Sequence, residues 1–459
     1  MMLRKGVLNM KNQQTASKIL KCVSRLIIPV IALLMLMGCG KLNLKGTDQS
    51  STPPVNEVPS KSEPSDNNES AAQDQNQQEG KPNDNANNTP TNVDKISEQI
   101  SKMTLDEKVG QMVISGVDGY TNDMHSSELI TKYYVGGFIL LGQNVKDTSQ
   151  VLNLLNSLKD TNKKSGSSIP LFLGVDQEGG RIDRMPPGFE KFPTNKAIGQ
   201  INNSTFSNSI GKAIGQEVKS FGFNLDFAPV LDINSNPKNP IIGDRSFGAT
   251  SQVVTKLGIE TMKGIRFENV IPVVKHFPGH GDTSVDSHTG LPIVNNDLAR
   301  LKSFELVPFA EAIKNNVDMI MVAHILFPKI DSKYPATMSK TIITDVLKNS
   351  MKYKGLIITD DMTMGAITSN YNIGEAAVRS VNAGSNIILV CHDFDKEVQV
   401  IEKIKAAVKD GTISQETINS SVYKILQLKQ KYQIADKSIN SVDVKSINSL
   451  IKKTVNSYK

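Results

Sequence analysis

The sequence predicts an α/β fold, a (β/α)8 TIM-type barrel forming a single catalytic domain. Three observations predict it. Eight short apolar, β-branched runs recur between residues 93 and 435. Helical patterns lie between them. Setting aside the first 92 residues leaves 459 − 92 = 367, which suits one large domain better than the roughly three that length alone suggests.

The elements are justified in chain order. Residues 1–38 carry six cations (Arg4, Lys5, Lys11, Lys18, Lys21, Arg25) and no acid. Ile27–Met37 is an apolar run broken only by Pro29, shorter than the roughly 20 residues that cross a bilayer. A cationic stretch before a short apolar run has the pattern of an export signal. It ends in Leu36-Met37-Gly38-Cys39, which resembles the lipobox of bacterial lipoproteins. The resemblance implies cleavage before Cys39 and lipidation of Cys39, with the membrane as a partner through that anchor. Residues 39–92 are rich in Asn, Gln, Ser, Pro and acids, and 41–92 contain no aromatic residue. Such a stretch buries too little apolar surface to order itself. It reads as a disordered tether with a reach of about 40 Å.

The formal charge is +6, and the six N-terminal cations account for all of it. The rest of the chain is balanced. That excludes the basic stripe a nucleic-acid partner requires. Three cysteines in 459 residues exclude a disulfide scaffold.

The expected strands are Gln111–Gly116, Gly137–Gly142, Pro170–Val175, Asn224–Pro229, Ile271–Lys275, Met319–Ala323, Gly355–Thr359 and Ile387–Val390. Near-continuous apolar character fits parallel strands covered on both faces. Helical spacing appears over Ser207–Phe221, Val253–Arg266, Phe304–Asn315 and Ile342–Ser350. Strand–helix alternation repeated eight times predicts a barrel; a doubly wound sheet is the alternative. Residues 436–459 read as a short helical or frayed tail. Barrel chemistry sits at the C-terminal ends of strands. Asp176, Lys275-His276, His324, Asp360 and His392 occupy those ends; His324 and His392 do so by position alone and receive no role.

The fifth strand runs into Lys275-His276-Phe277-Pro278-Gly279-His280-Gly281-Asp282-Thr283, followed by Asp286-Ser287-His288. Together with Asp176-Gln177-Glu178-Gly179-Gly180-Arg181, Asn224-Leu225-Asp226-Phe227-Ala228-Pro229-Val230, Ile242-Gly243-Asp244-Arg245-Ser246-Phe247-Gly248 and Thr359-Asp360-Asp361-Met362, this closely resembles glycoside hydrolase family 3, in its β-N-acetylglucosaminidase branch. The resemblance covers about residues 97–435 and implies a TIM-type barrel. It implies Asp360 as nucleophile and His288, assisted by Asp286, as acid/base in a retaining double displacement. It implies that Asp176, Arg184, Arg245, Lys275 and His276 bind the sugar. Asp361, turned away if the strand alternates, reads as structural. His280 and Asp282 read as loop supports, and Cys391 as packing.

The implied substrate is a carbohydrate, non-reducing GlcNAc on peptidoglycan-derived fragments. Two alternatives stay open: a GlcNAc-glycoside phosphorylase using the same residues, and a non-catalytic cell-wall-binding lipoprotein. No segment of domain size follows residue 435, so the barrel itself is expected to supply the proton donor. His276, His280, Asp282, Asp286 and His288 lie close in sequence, but their spacing is not that of a helical zinc motif and no Glu base accompanies them. No metal and no cofactor is expected, and the chain is expected to be a monomer. Cys39→Ala should release the protein into the soluble fraction without altering turnover of a soluble glycoside. Continued partition of the variant into detergent would rule out lipidation at Cys39.

Overall fold

The computed structural model describes residues 92–458. The expected signal, Cys39 and almost all of the tether lie outside the described residues. Eight parallel strands follow one another in space as they do in sequence: β1 Val113–Ser115, β2 Gly137–Leu140, β3 Phe172–Val175, β4 Leu225–Asp226, β5 Ile271–Phe277, β6 Met319–Val322, β7 Leu356–Thr359 and β8 Ile388–Val390. β1 pairs with both β2 and β8. A parallel bridge between Ile358 and Ile387 links β7 to β8 and closes the barrel. Each expected strand is present and is trimmed by a residue or more at its ends, β5 excepted. β5 runs two residues further than expected, to Phe277.

That extension matters for the site. The β5–β6 register shifts between Val274 and Phe277, where the Lys275–His276 peptide is cis. An irregularity of this kind re-aims side chains at a barrel rim, and Lys275 and His276 are the two residues inside it.

The helices follow the expected apolar stripes with better-defined ends. Ser204–Phe221 begins where Asn203 caps the Phe206 N–H, and Ser251–Phe267 begins where Thr250 caps Val253. The helix expected over Phe304–Asn315 is two pieces, Leu298–Ser303 and Val307–Lys314. Phe304 N–H closes back on Leu301, and Pro308 suits the first turn of a new helix but not the interior of a continuous one. Thr341–Ser350 is a π-helix, a wider coil that still buries Ile342, Ile343, Val346 and Leu347. At the opposite end of the barrel from the strand termini, Lys429 is buried, with Nζ donating to Gly136 O (2.9 Å) and Gln111 Oε1 (2.8 Å).

Residues 436–458 are part of the domain. Asp436 accepts from Asn162 Nδ2 (2.6 Å) and Leu171 N–H (3.2 Å). The helix Val444–Asn456 lies on Ser204–Phe221, with the Tyr458 ring tilted against Phe206, centroids 4.7 Å apart. Asn448 bonds Gly188 O (2.7 Å) and Glu190 N–H (2.9 Å), so the helix clamps the loop that follows Arg184. The tail is thus the short helix of the two forms expected, not the frayed one, and its contacts carry the packed unit past residue 435. Ile451, only 1% exposed, anchors the helix. Ile451→Ala should lower unfolding free energy in urea by about 2–5 kcal/mol. A change under about 0.5 kcal/mol would show that the helix is not docked in solution.

Candidate active site

A cavity of about 390 Å³ opens at the C-terminal ends of the strands. Asp176, Arg184, Arg245, Lys275, His276, His288 and Asp360 all line it. Asp286 does not, and reaches it through His288. A larger cavity of about 1110 Å³ lies against the helix Ile373–Ala383 and contains none of the strand-end residues. The smaller cavity is where the chemistry collects.

Its floor is a run of alternating charge. Lys275 Nζ lies 2.5 Å from Asp176 Oδ1 and 2.7 Å from Glu178 Oε1. Arg245 grips Glu178 with two bonds, 2.6 and 2.8 Å. Burial alone would raise the Glu178 pKa, but Arg245 and Lys275 outweigh it and hold the carboxyl far below the usual range. Burial alone would lower Lys275, and Asp176 and Glu178 outweigh that too, so its pKa is raised. The expected sugar ligands Arg245 and Lys275 are thus held by acids rather than free. Glu178 was not singled out from sequence, although it stands two residues from Asp176, the spacing that returns a side chain to the same side of an extended segment. Arg184 carries a buried Nε with no partner among the described residues.

A second pairing fixes His276. Asp232, fully buried, accepts His276 Nδ1–H (2.6 Å), His276 N–H (3.2 Å) and His280 N–H (2.7 Å). Burial would raise the Asp232 pKa; His276 outweighs it and keeps the carboxyl low. His276 Nε2 is left facing Arg245 at 3.5 Å. Asp232 was also missed, and its one sequence signal is an acid in the otherwise apolar stretch Val230–Ile233.

Asp360 follows β7. Its N–H donates to Val322 O (2.9 Å), and its Oδ1 accepts the Asp361 N–H (2.9 Å). Burial pushes its pKa up, but His324, His276 and the Asp361 N–H outweigh it, so the carboxylate stays ionised at neutral pH. Asp361 is tied into the turn, accepting from Thr363 N–H (2.9 Å), Thr363 Oγ1 (2.6 Å) and Cys391 N–H (3.0 Å). These bonds fit a structural role, but Asp361 also lines the cavity, so it is not turned away as strand alternation predicted.

Asp286 and His288 sit on the loop after β5. Asp286 Oδ1 accepts both His288 N–H (2.8 Å) and His288 Nδ1–H (2.9 Å). The imidazole is thereby fixed with Nε2 free, and 68% of the side chain is exposed. The loop root is rigid. His280 bonds Thr283 Oγ1 (2.8 Å) and Ser287 Oγ (3.3 Å), and Asp282 accepts from Asn296 (3.0 Å), so both are loop supports as expected. A Cβ on Gly281 would stand 1.7 Å from Ile233 O. The loop tip is docked on the turn after β7: Ala366 N–H donates to Ser287 O (3.0 Å), and a Cβ on Gly365 would stand 2.5 Å from His288 O. Backbone contact thus joins the loop of His288 to the turn of Asp360. His392 lines the rim, its Nδ1 3.3 Å from Gln143 Nε2. Among the described residues the His and Asp side chains between 276 and 288 do not converge on a metal-ligand cluster; they are spent on one another and on the loop.

Comparison with known proteins agrees with this arrangement. Residues 104–428 match the family described as Glycosyl hydrolase family 3 N terminal domain. Beta-hexosaminidase A of Pseudoalteromonas piscicida is 38% identical over 335 residues, which cover 68% of this chain and 56% of that protein. The chain thus spans little more than half of that relative. Beta-hexosaminidase of Nitrosomonas eutropha is 31% identical, over 64% of this chain and 85% of its own. A glycoside hydrolase family 3 beta-N-acetylglucosaminidase from Paenibacillus sp. str. FPU-7 superposes with a TM-score of 0.73 at 38% identity, covering 77% of this chain and 68% of that one.

Burial pushes the His280 imidazole down to about 4, against about 6.5 in an unfolded chain. Between those values the unfolded chain binds the extra proton, so this group's contribution to stability falls as pH falls from about 6.5 to about 4. Relative to His280→Gln, the wild type should lose on the order of 3 kcal/mol over that window. Parallel pH–stability curves for the two proteins would contradict the assignment.

Proposed function

This chain belongs to glycoside hydrolase family 3, and on that premise we propose that it is a retaining exo-β-N-acetylglucosaminidase acting on peptidoglycan-derived fragments, GlcNAc-β-1,4-MurNAc with or without peptide. The observation that carries the reading is the meeting of Asp360 and His288 on one small cavity, with their two loops joined backbone to backbone. At about 390 Å³ the cavity is at the small end for ligand sites. It suits one terminal sugar with the leaving group directed outward. The names of the hexosaminidase relatives support GlcNAc as that sugar. The export-type N-terminus supports a cell-wall substrate and an outward-facing position anchored through Cys39.

The proposed steps assign one role to each group. The ionised Asp360 carboxylate attacks the anomeric carbon as the glycosidic C–O bond breaks, and protonated His288 gives its Nε2 proton to the departing oxygen. Asp286, bonded to Nδ1–H, stabilises the imidazolium and fixes its orientation. Water then attacks the same carbon, His288 Nε2 takes the water's proton, and Asp360 departs. Asp176, Lys275 and His276 meet the sugar hydroxyls at the floor, and Arg184 and Arg245 border them. A histidine donor also suits an anionic leaving group, which a second carboxylate would repel.

The test is leaving-group dependence. Asp360→Ala should abolish turnover of an aryl GlcNAc glycoside, while Asp361→Ala should leave folded protein that still turns it over, with any loss confined to the roughly 10²-fold that a misaimed nucleophile costs. His288→Ala should lower kcat/KM for the GlcNAc–MurNAc disaccharide by about 10²–10⁴. It should affect release of a nitrophenolate far less and should produce a burst, because water then lacks its base. Equal losses on both substrates, with no burst, would remove His288 from the proton-transfer role. Failure of the wild type to turn over either substrate would remove the activity itself.

A further inference from the structure

His324 stands two residues beyond the end of β6, fully buried, and has no part in the steps above. Its Nε2 lies 2.9 Å from the carbonyl oxygen of Asp361. Its Nδ1 lies 2.7 Å from Thr337 Oγ1. A carbonyl oxygen can only accept, so Nε2 carries the proton, while Nδ1 pairs with a Thr337 hydroxyl that also reaches Ala323 O (3.3 Å). Burial lowers the pKa of the ring, and the facing Asp360 and Asp361 act against that. Thr337 is itself fully buried, on the short turn Ala336–Met338, whose Ala336 N–H donates to Ile325 O (2.8 Å). The far side of the imidazole is therefore braced.

The near side leads to the nucleophile. Asp360 Oδ1 accepts the Asp361 N–H, so the carboxylate's orientation depends on how residue 361 is set. Residue 361 is fixed by its side chain, bonded to Thr363 and Cys391, and by its carbonyl, bonded to His324. Loss of the second tie leaves residue 361 free to turn about the first.

We propose that His324 is a positioning residue for the nucleophile: its Nε2–H holds the Asp361 carbonyl and, through the Asp361 N–H, keeps the Asp360 carboxylate aimed at the anomeric carbon. It is not a catalytic residue, since it does not line the cavity. The proposal rests on Asp360 being the nucleophile. Geometry at the reacting atoms is steep: a misplacement of about 1 Å costs about 10²-fold in rate.

Three substitutions in the full-length protein separate this role from a packing role. The amide of His324→Gln can reach the Asp361 carbonyl in place of Nε2. His324→Asn is too short to reach it. His324→Phe keeps the ring volume and makes neither bond. The readouts are the pre-steady-state glycosylation rate with an activated aryl GlcNAc glycoside, KM, and Tm. The Gln variant should stay within about fivefold of wild type, and the Asn and Phe variants should fall about 10²-fold in glycosylation rate with KM little changed. If the Gln variant falls as far as Asn, or if the losses appear in KM or follow Tm, His324 is packing only. Should the Phe variant fail to fold, the Gln–Asn comparison decides alone. A 5-fluoro GlcNAc glycosyl fluoride tests the premise separately. In the wild type it should label the peptide containing Thr359-Asp360, and it should label the Asn variant more slowly. Label on another carboxylate in the wild type would overturn the nucleophile assignment, and with it this proposal, however the variants rank.

Discussion

Lys275 makes the rest of the site possible. Asp176, Glu178, Asp232 and Asp360 converge on the mouth of one barrel, where isolated carboxylates would surrender their charge to burial. Lys275 stands between two of them, Arg245 balances Glu178 from the other side, and His276 answers Asp232. Breaking a buried pair by removing one partner costs about 3–5 kcal/mol, whereas apolar replacement of both is often neutral or better. The array therefore does little for stability as such. Through His276, and to a smaller degree Lys275, it helps keep Asp360 ionised, and it holds donors and acceptors in place at the barrel mouth without reorganisation.

The two halves of the proposed chemistry sit on different kinds of support. Asp360 follows directly from a strand, its backbone bonded to the neighbouring strand and its carboxylate to its own chain. His288 stands on a loop and is largely exposed. That division suits the roles. A nucleophile must meet one carbon at a fixed angle, while a proton carrier must serve a leaving oxygen and then a water at nearly the same place. The loop is still not loose, since His280, Thr283, Asn239 and the close approach at Gly281 hold its root. The contacts of Ser287 and His288 with the 365–366 turn tie its tip to the segment that carries Asp360.

Much of this was legible before any coordinates. Parallel barrel strands are covered on both faces, so they announce themselves as continuous apolar runs, and all eight did. Polar residues at the ends of such runs marked Asp176, Lys275, His276 and Asp360. What escaped was pairwise and long-range. Glu178 and Asp232 matter because of Lys275, Arg245 and His276, which lie 44 to 97 positions away in sequence, and no local pattern reports such a partner. His324 looked like any polar residue at a strand end, since its meaning lies in a carbonyl 37 residues on. The split of the helix after residue 303 was visible in Pro308 and was overridden by apolar spacing. The docking of the C-terminal helix depended on a surface formed by other elements, which spacing within the helix cannot show.

The central claim is a double displacement through Asp360 rather than a single attack by water. Proton NMR of the first sugar released from an aryl β-GlcNAc glycoside, recorded before mutarotation, reads this directly. The account predicts that β-GlcNAc appears first and the α-anomer only by later equilibration. Initial release of α-GlcNAc would mean a single inverting step, and the covalent role of Asp360 would be wrong.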